Sequence, residues 1–320
     1  GKVSRFYIGV DIGGTEVKTA LVDENDKAVF AQNIPTESEK GYVHTINMIA
    51  NQIKTLLDDN KVSLSMVNSI GIGIPGLTDG KSKVYMAPNI SWVDIDIKAE
   101  MDRHFPNTKV FIANDASVAA LAEHHFGAIK GAKNAVMITL GTGVGGGVII
   151  NDKLYSGTNG IASEIGHLIV GENFYNCNCG NNGCLETYCS ATAIIKYAQR
   201  LFVDSPCSKI IDMTDSKPEN ITAKLIFDAY KEKDLMAKII VKRFVTYLSI
   251  GIINLMNVYD PEVFVIGGGV SKAYDLFIDE LEKEVDERLT FKNAPRGKIV
   301  KAKLGNDAGA IGAAMLGLYM

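Results

Sequence analysis

The sequence lacks several features that mark well-known classes of protein. Its 320 residues contain no complete Gly-x-x-x-x-Gly-Lys-Ser/Thr motif, which excludes the P-loop class of NTPase. The net charge of −4 does not indicate the basic surface that nucleic-acid-binding proteins use. No uninterrupted apolar run reaches the ~18–20 residues of a membrane span, and the N-terminal stretch has no signal-peptide zones. We therefore expect a cytoplasmic protein whose partners include neither nucleic acid nor a membrane.

Cysteine is scarce as well. The chain has five cysteines, and three of them, Cys177, Cys179 and Cys184, are crowded into one short segment. An odd number with this spacing favours a metal site in a reducing compartment over a disulfide framework. The remaining composition, 47% hydrophobic and 22% charged, is typical of a globular protein. A chain of this length suits two compact units better than one small core.

Two segments far apart in the chain repeat one pattern. Residues 11–22 align with residues 139–150 so that Gly13 matches Gly141. In each segment an apolar run ends in a glycine turn and a second apolar run follows, which predicts a strand, a tight turn and a returning strand. A hairpin that opens two halves of one chain indicates a duplicated α/β domain.

Strand and helix patterns alternate around these hairpins, which predicts βαβ layering. The predicted strands are 6–10, 17–22, 69–74, 109–112, 135–140, 148–150 and 263–266, and the predicted helices are 42–58, 117–126 and 274–289. The apolar stretch 239–258 is interrupted by polar residues such as Lys242 and Arg243, so we interpret it as a buried core helix. The polar stretch 204–220 is predicted to be a surface excursion.

Three glycine-rich turns lie at predicted strand ends, where main-chain N–H groups can grip phosphate oxygens if no Cβ obstructs them. The residues assigned to a nucleotide site are Asp11, Gly13, Gly14, Thr15 and Lys18 at the first turn, Gly141, Thr142 and Gly143 at the second, and Gly268 and Gly269 at the third. Any one of them alone could be a plain turn between strands. Together they favour a site that binds ATP with Mg²⁺.

The most specific segments of the chain are Glu164-Ile165-Gly166-His167 and the cysteine segment 177–186, which ends in Gly-Cys-Leu-Glu. With Asp11-Ile12-Gly13-Gly14-Thr15, Asn114-Asp115-Ala116 and Asp307-Ala308-Gly309, they resemble the ROK family of sugar kinases and sugar-responsive repressors over essentially the whole chain. Within the family, the cysteine segment looks most like that of bacterial glucokinases. The repressors carry an N-terminal helix-turn-helix domain, which we do not expect here because the first predicted strand begins at Phe6.

The resemblance implies an α/β chain with the two-lobed, actin-like (ribonuclease-H-like) fold, in which duplicated domains flank a cleft. We expect a small lobe of residues 1–118 plus a C-terminal helix at about 305–320. The large lobe would then comprise residues 119–304 and include a metal-binding knuckle at 164–186. The resemblance also implies a homodimer.

The resemblance further assigns Asp115 as the catalytic base, because a sugar hydroxyl needs a fixed carboxylate to accept its proton. In isolation, the stronger interpretation of Asp115 would be a helix N-cap, because aspartate is common at that position. The implied sugar contacts are Gly76, Asn89, Asn114, Asp115, Glu164, His167 and Glu186. Carboxylates and amides are the expected partners of sugar hydroxyls, although most glutamates are solvated surface residues.

His167 and the three clustered cysteines, Cys177, Cys179 and Cys184, supply one nitrogen and three sulfurs, the ligand set of structural zinc. The alternative is a group of free cysteines. Four protein ligands leave no open position, so such a zinc ion would not activate water.

The expected reaction is transfer of a phosphoryl group from ATP to glucose, giving glucose 6-phosphate. Three other functions stay open: a ROK kinase for N-acetylmannosamine or fructose, a non-catalytic sugar sensor, and an actin-like ATPase that acts on no sugar.

Overall fold

A computed structural model describes residues 5–320, so residues 1–4 of the predicted small lobe lie outside it. The described chain forms two compact units. The first comprises residues 5–134, 147–163 and 303–320, and the second comprises residues 135–146 and 164–302. The expected lobe boundary at residue 118 falls inside a helix, Asp115–Phe126, that belongs wholly to the first unit.

Residues 5–320 contain fourteen strands and eleven α-helices. The strands are β1 (Phe6–Ile12), β2 (Glu16–Asp23), β3 (Ala28–Phe30), β4 (Ile34–Pro35), β5 (Val67–Ile74), β6 (Leu77–Thr78), β7 (Lys83–Ala87), β8 (Trp92–Asp96), β9 (Lys109–Asn114), β10 (Ala135–Leu140), β11 (Val144–Ile150), β12 (Lys153–Leu154), β13 (Val263–Gly267) and β14 (Lys298–Lys301). The helices are α1 (Tyr42–Asp59), α2 (Ile97–His104), α3 (Asp115–Phe126), α4 (Glu186–Cys189), α5 (Ala191–Phe202), α6 (Lys209–Met213), α7 (Ala223–Lys231), α8 (Leu235–Tyr259), α9 (Tyr274–Glu287), α10 (Ala308–Ala314) and α11 (Leu316–Tyr319).

Two sheets share one topology. The first has the order β3-β2-β1-β5-β9, in which β1 is antiparallel to β2 and parallel to β5, and β4 also pairs with β2. The second has the order β12-β11-β10-β13-β14, with β10, β13 and β14 parallel. Each sheet therefore places a hairpin beside two parallel strands, and the duplication predicted from the glycine turns is confirmed.

Two features differ from the sequence-based expectation. A third sheet, β6-β7-β8, was not predicted, because its strands are only two to five residues long and give a weak periodic signal. The stretch 204–220 is not simply a surface excursion, because it contains α6 and buries Ile210. The buried Asp234 anchors it by accepting hydrogen bonds from the Ser208 hydroxyl at 2.9 Å and the Lys209 N–H at 2.8 Å.

Helix α10 packs tightly on the first sheet. A Cβ at Gly9 of β1 or at Gly71 of β5 would collide with main-chain carbonyl oxygens of this helix. Glycine at both positions therefore brings the C-terminal segment into direct contact with the strands that begin the chain. The core of this unit also contains Trp92, the single tryptophan of the sequence, which is 2% exposed.

One helix among residues 5–320, α8, is long and apolar enough to cross a membrane by length and composition alone. In the most apolar 18-residue stretch of this helix, however, 56% of the residues are buried inside the structure. They include Phe244 and Leu248, and Phe244 packs edge-on against Phe277 of α9 at 5.1 Å between ring centroids. This burial is typical of the core helix that the sequence indicated.

Glu123 of α3 is fully buried and holds the segment that leads into α10. Its Oε1 accepts hydrogen bonds from the N–H groups of Lys303 at 2.8 Å and Leu304 at 2.7 Å, and its Oε2 accepts one from Ala128 at 2.9 Å. A buried carboxylate is tolerated when main-chain donors satisfy it in this way.

We predict that Glu123→Ala lowers the free energy of unfolding of the first unit by about 3 kcal/mol, because it leaves three main-chain N–H groups unpaired. Because Trp92 is buried in this unit, its fluorescence during urea titration reports the unfolding of the first unit. Glu24→Ala, at an exposed turn position, is the control. Equal unfolding midpoints for the two variants would contradict the prediction.

Candidate active site

Asp11 lies near the end of β1 beside the first glycine turn. Its partner across the hairpin is Lys18 of β2, and the Gly13 N–H donates to the Glu16 carbonyl at 2.8 Å to close the turn. Gly14 and Thr15 are exposed at the tip. The turn thus presents bare main chain next to a partly buried carboxylate, which is the arrangement that the sequence predicted.

Two acidic side chains of the first unit interact electrostatically. Burial, followed by the nearby charge of Asp115, raises the pKa of Asp11 to about 6, whereas Lys18 acts in the opposite direction. Loss of hydration also raises the pKa of Asp115, and the Ala116 N–H that donates to its Oδ1 at 2.9 Å counteracts this. Asp115 keeps accessible surface even though protein surrounds it. A carboxylate that combines accessible surface with a raised pKa is a candidate functional residue.

Asn114 and Asp115 divide their roles in a way that the sequence did not reveal. The N-cap of α3 is Asn114, whose Oδ1 accepts a hydrogen bond from the Ser117 N–H at 2.8 Å. The N-cap interpretation of Asp115 is therefore wrong, because Asp115 is the first residue of the helix proper. Capping uses one acceptor position of the Asn114 oxygen, and the side-chain NH₂ is a donor that Asn114 can offer to a ligand.

The beginning of α10 meets the same carboxylate. A Cβ at Gly309 would collide with the carboxylate of Asp11. Lys18 Nζ donates to Asp307 Oδ1 at 3.0 Å and to the Asn306 carbonyl at 3.2 Å. The Asp-Ala-Gly segment was part of the family pattern, but only the structure shows that it borders Asp11 and engages the predicted nucleotide residue Lys18.

The two remaining predicted site residues of the first unit differ in character. A Cβ at Gly14 would lie 3.7 Å from the Asn89 Cβ, so the structure brings Asn89 close to the first turn. Gly76 is required for packing, because a Cβ there would collide with the Met86 carbonyl of β7. This contact explains glycine at position 76 without any ligand.

A partial P-loop sequence, Gly80-Lys81-Ser82, lies between β6 and β7. Asp79 Oδ1 accepts the N–H groups of Lys81, Ser82 and Lys83 at 2.8 to 2.9 Å. These donors lower the pKa of Asp79, although burial acts against them. An acidic side chain thus occupies the donors that a phosphate would need, and this turn is not a phosphate site.

In the second unit, the glycine turn of residues 141–143 lies against Glu186. The Gly141 N–H donates to the Gly143 carbonyl at 2.9 Å. The Val144 N–H donates to Glu186 Oε1 at 2.9 Å, and a Cβ at Gly143 would collide with the same carboxylate. A residue predicted to bind sugar therefore contacts the turn predicted to bind phosphate.

Glu164 and His167 share one short 3₁₀ turn, with the His167 N–H bonded to the Glu164 carbonyl at 3.1 Å. Both residues are exposed. Gly166 between them packs on the Val144 carbonyl so closely that a Cβ would collide with it. The Val144 main chain is thus held by Glu186 on its N–H side and by the Gly166 turn on its carbonyl side.

The structure brings His167, Cys177, Cys179 and Cys184 together, with one ligand atom from each within 4.8 Å of all the others. Cys179 Sγ and Cys184 Sγ are 3.6 Å apart, and Cys177 Sγ lies 3.7 Å from His167 Nδ1. Sulfur ligands about 2.3 Å from a tetrahedral ion are about 3.8 Å apart, so the set fits zinc. The Asn181 N–H is the main cause that lowers the pKa of Cys179 to about 7, which favours a thiolate.

The third glycine run follows β13. Gly268 has a φ of 84°, and a Cβ there would collide with main-chain atoms of Leu140. Gly269 begins a 3₁₀ turn and faces open space. Gly268 is thus needed by the turn itself, and the accessible main chain for a ligand is at Gly269.

Known proteins resemble the chain over nearly its full length. A family model described as "ROK family" matches residues 7–319. A glucokinase of Halalkalibacterium halodurans is 38% identical over 98% of this chain and 94% of its own length. A xylose repressor of Bacillus spizizenii is 29% identical over 97% of this chain and 76% of its own length.

Among solved structures, a ROK family glucokinase from Streptomyces griseus in complex with glucose and AMPPNP superimposes with a TM-score of 0.78 at 32% identity. The match covers 97% of this chain and 98% of that one. The predicted fold class, two duplicated α/β units of the actin-like type, is confirmed. The chain belongs to the ROK family.

Proposed function

We propose that the chain is an ATP-dependent hexose kinase that converts glucose to glucose 6-phosphate. The observation that carries the proposal is the pair Asp11 and Asp115, two interacting carboxylates of the first unit with raised pKa values. Glucose is favoured over other sugars because the relatives named glucokinase match nearly the full chain. We further expect a homodimer, as the family resemblance implies, and a cytoplasmic location, as the cysteine spacing indicates.

Asp115 would act as the base. The sugar hydroxyl oxygen forms a bond to the γ-phosphorus of ATP, the bond from that phosphorus to the ADP oxygen breaks, and the hydroxyl proton passes to Asp115. Phosphoryl transfer needs mainly alignment of the nucleophile and late acceptance of its proton. A carboxylate whose pKa is raised toward neutrality is a better acceptor than an ordinary aspartate.

Asp11 and the glycine turns would hold the nucleotide. A pair of carboxylates that repel each other suits a divalent cation, and Mg²⁺ when bound would neutralise charge on the transferring phosphoryl group. Gly13, Gly14 and Thr15 offer main-chain and hydroxyl donors to phosphate, as do Gly141, Thr142 and Gly143. Lys18 would add a positive charge, and Gly268 and Gly269 would border the adenosine.

The residues of the first unit that we assign to the sugar are Asn89, Asn114, Asp115 and the main chain of Gly76. Those of the second unit are Glu164, His167 and Glu186. Zinc held by His167 and the three cysteines would fix the His167 ring. Since Nδ1 faces the thiols, Nε2 is the nitrogen available to a sugar hydroxyl.

A sugar sensor is the competing function, and the similarity to a xylose repressor favours it over an actin-like ATPase that acts on no sugar. Steady-state assays with ATP and a panel of glucose, mannose, fructose, N-acetylglucosamine, N-acetylmannosamine and xylose separate the kinase from the sensor. A kinase releases ADP with the highest kcat/KM for one hexose. If calorimetry detects sugar binding but no sugar of the panel causes ATP to be converted to ADP, the kinase proposal is overturned.

We predict that Asp115→Asn lowers kcat by about 100-fold or more, because the amide keeps hydrogen bonding to the sugar but cannot accept its proton. Glucose affinity, measured by calorimetry, should stay within about tenfold of the wild type. A near-normal kcat would exclude Asp115 as the base.

The pH dependence of kcat/KM should show an acid limb near pH 6. Burial and the nearby Asp115 raise the pKa of Asp11 to about 6, so its ionised form is present above this range and is lost as the pH falls through it. Burial raises the pKa of Asp115 as well. The limb belongs to the interacting pair rather than to one residue. A rate that stays constant down to about pH 4.5 would contradict this expectation.

Cys179→Ser should reduce bound zinc from about one ion per chain, measured by metal analysis, because it removes one of four ligands. KM for glucose should rise by about tenfold or more. KM for ATP should rise less, although the bond from Val144 to Glu186 transmits part of the effect to the glycine turn. Circular dichroism checks that the variant is folded, and unchanged sugar kinetics in zinc-free protein would refute the link.

A further inference from the structure

Arg243 of α8 lies in an aromatic enclosure next to the metal-binding segment of the second unit. The carbon at the centre of its guanidinium is 4.4 Å from the ring centroid of Tyr197, 4.8 Å from that of Tyr188 and 5.5 Å from that of Tyr247. Tyr188 and Tyr247 stack on each other at 3.7 Å. Cations are stabilised over ring faces, so this guanidinium is held in one orientation.

The guanidinium is directed at Asn173. Arg243 Nη2 donates to Asn173 Oδ1 at 2.8 Å. The other end of the same amide, Nδ2, donates to both the carbonyl and the hydroxyl oxygen of Thr187, each at 2.9 Å. Because an amide has an accepting and a donating end, a cation on its oxygen fixes which end faces Thr187.

Thr187 follows directly after Glu186. Its hydroxyl also donates to the Cys184 carbonyl at 2.7 Å, so Asn173 and Cys184 together hold the first turn of α4. Glu186 begins that turn and receives the Val144 N–H. A continuous chain of contacts therefore runs from Arg243 through Asn173 and Thr187 to the carboxylate that contacts the glycine turn.

Asn173 also anchors the loop that carries the cysteines. Its N–H donates to Asn182 Oδ1 at 2.8 Å, and the Asn182 side-chain nitrogen donates back to the Asn173 carbonyl at 2.9 Å. The loop is thus held by hydrogen bonds between Asn173 and Asn182, in addition to any contacts among His167 and the three clustered cysteines. Arg243 is linked to Glu186 by a route that does not include those four residues.

We propose that Arg243 is a positioning residue for Glu186, which acts through Asn173 and Thr187 to set the carboxylate for sugar binding. This role rests on the proposed sugar-kinase function. It requires that loss of Arg243 affects sugar use while the metal site is retained, whereas loss of a metal ligand affects both.

Arg243→Met tests the role, because it keeps an apolar stem between the rings but removes the donor to Asn173. We expect KM for glucose to rise by about tenfold or more, since small displacements of a binding group have large kinetic effects. KM for ATP should change by less than about threefold. Zinc content should equal that of the wild type.

Asn173→Ala should reproduce this pattern, and the double variant should be little worse than either single variant, because both changes interrupt one route. Arg243→Lys keeps a cation among the rings and should recover part of the glucose affinity. Arg200→Met is the matched control, since Arg200 stacks on Phe174 at 4.4 Å and belongs to α5.

The role would be overturned by a glucose KM for Arg243→Met equal to that of Arg200→Met in folded protein, or by additive effects in the double variant. A general loss of stability with parallel changes in both KM values would also overturn it, and near-UV circular dichroism of the tyrosines measures this. A wild-type chain that phosphorylates no sugar would instead refute the proposed function itself.

Discussion

The hydrogen bond from the Val144 N–H to Glu186 organises the second unit, because it joins the glycine turn to the segment that carries the cysteine cluster. The two elements approach so closely that neither Gly143 nor Gly166 could carry a side chain. The residues of this unit that we assign to sugar and to phosphate are therefore parts of one rigid piece. Zinc would stabilise it from one side, and the aromatic enclosure of Arg243 stabilises it from the other.

The first unit contains two kinds of buried carboxylate. Some have raised pKa values because burial disfavours their charge, and another has its charge stabilised by main-chain hydrogen bonds. Asp11 is held partly buried near Asp115, an arrangement that disfavours both charges. Glu123, by contrast, is fully buried and has main-chain donors on both oxygens. The pair with raised pKa values belongs to the proposed chemistry, and the carboxylate with main-chain donors on both oxygens belongs to the scaffold, as expected when electrostatic strain is confined to a functional site.

Much of the fold could be predicted because period-two apolar runs and glycine turns are local signals. Strand β10 was predicted at its observed bounds, and the four residues predicted as metal ligands are brought together in the structure, within 4.8 Å of one another. What the sequence could not reveal depends on contacts between distant residues, such as Arg243 and Asn173, which are 70 positions apart. The N-cap role of Asn114 was missed for a subtler reason, since two adjacent residues can both cap and only the main-chain path decides between them.

The assembly of the first unit from three chain segments has a consequence for synthesis of the protein. Helix α10, which packs on β1 and β5 and borders Asp11, is encoded after the whole second unit. During translation, the surroundings of Asp11 are therefore incomplete until α10 has been synthesised, long after the first strands. An incomplete polypeptide that stops before residue 303 lacks this helix, so the order of segments along the chain prevents partly made molecules from acquiring finished surroundings for this carboxylate.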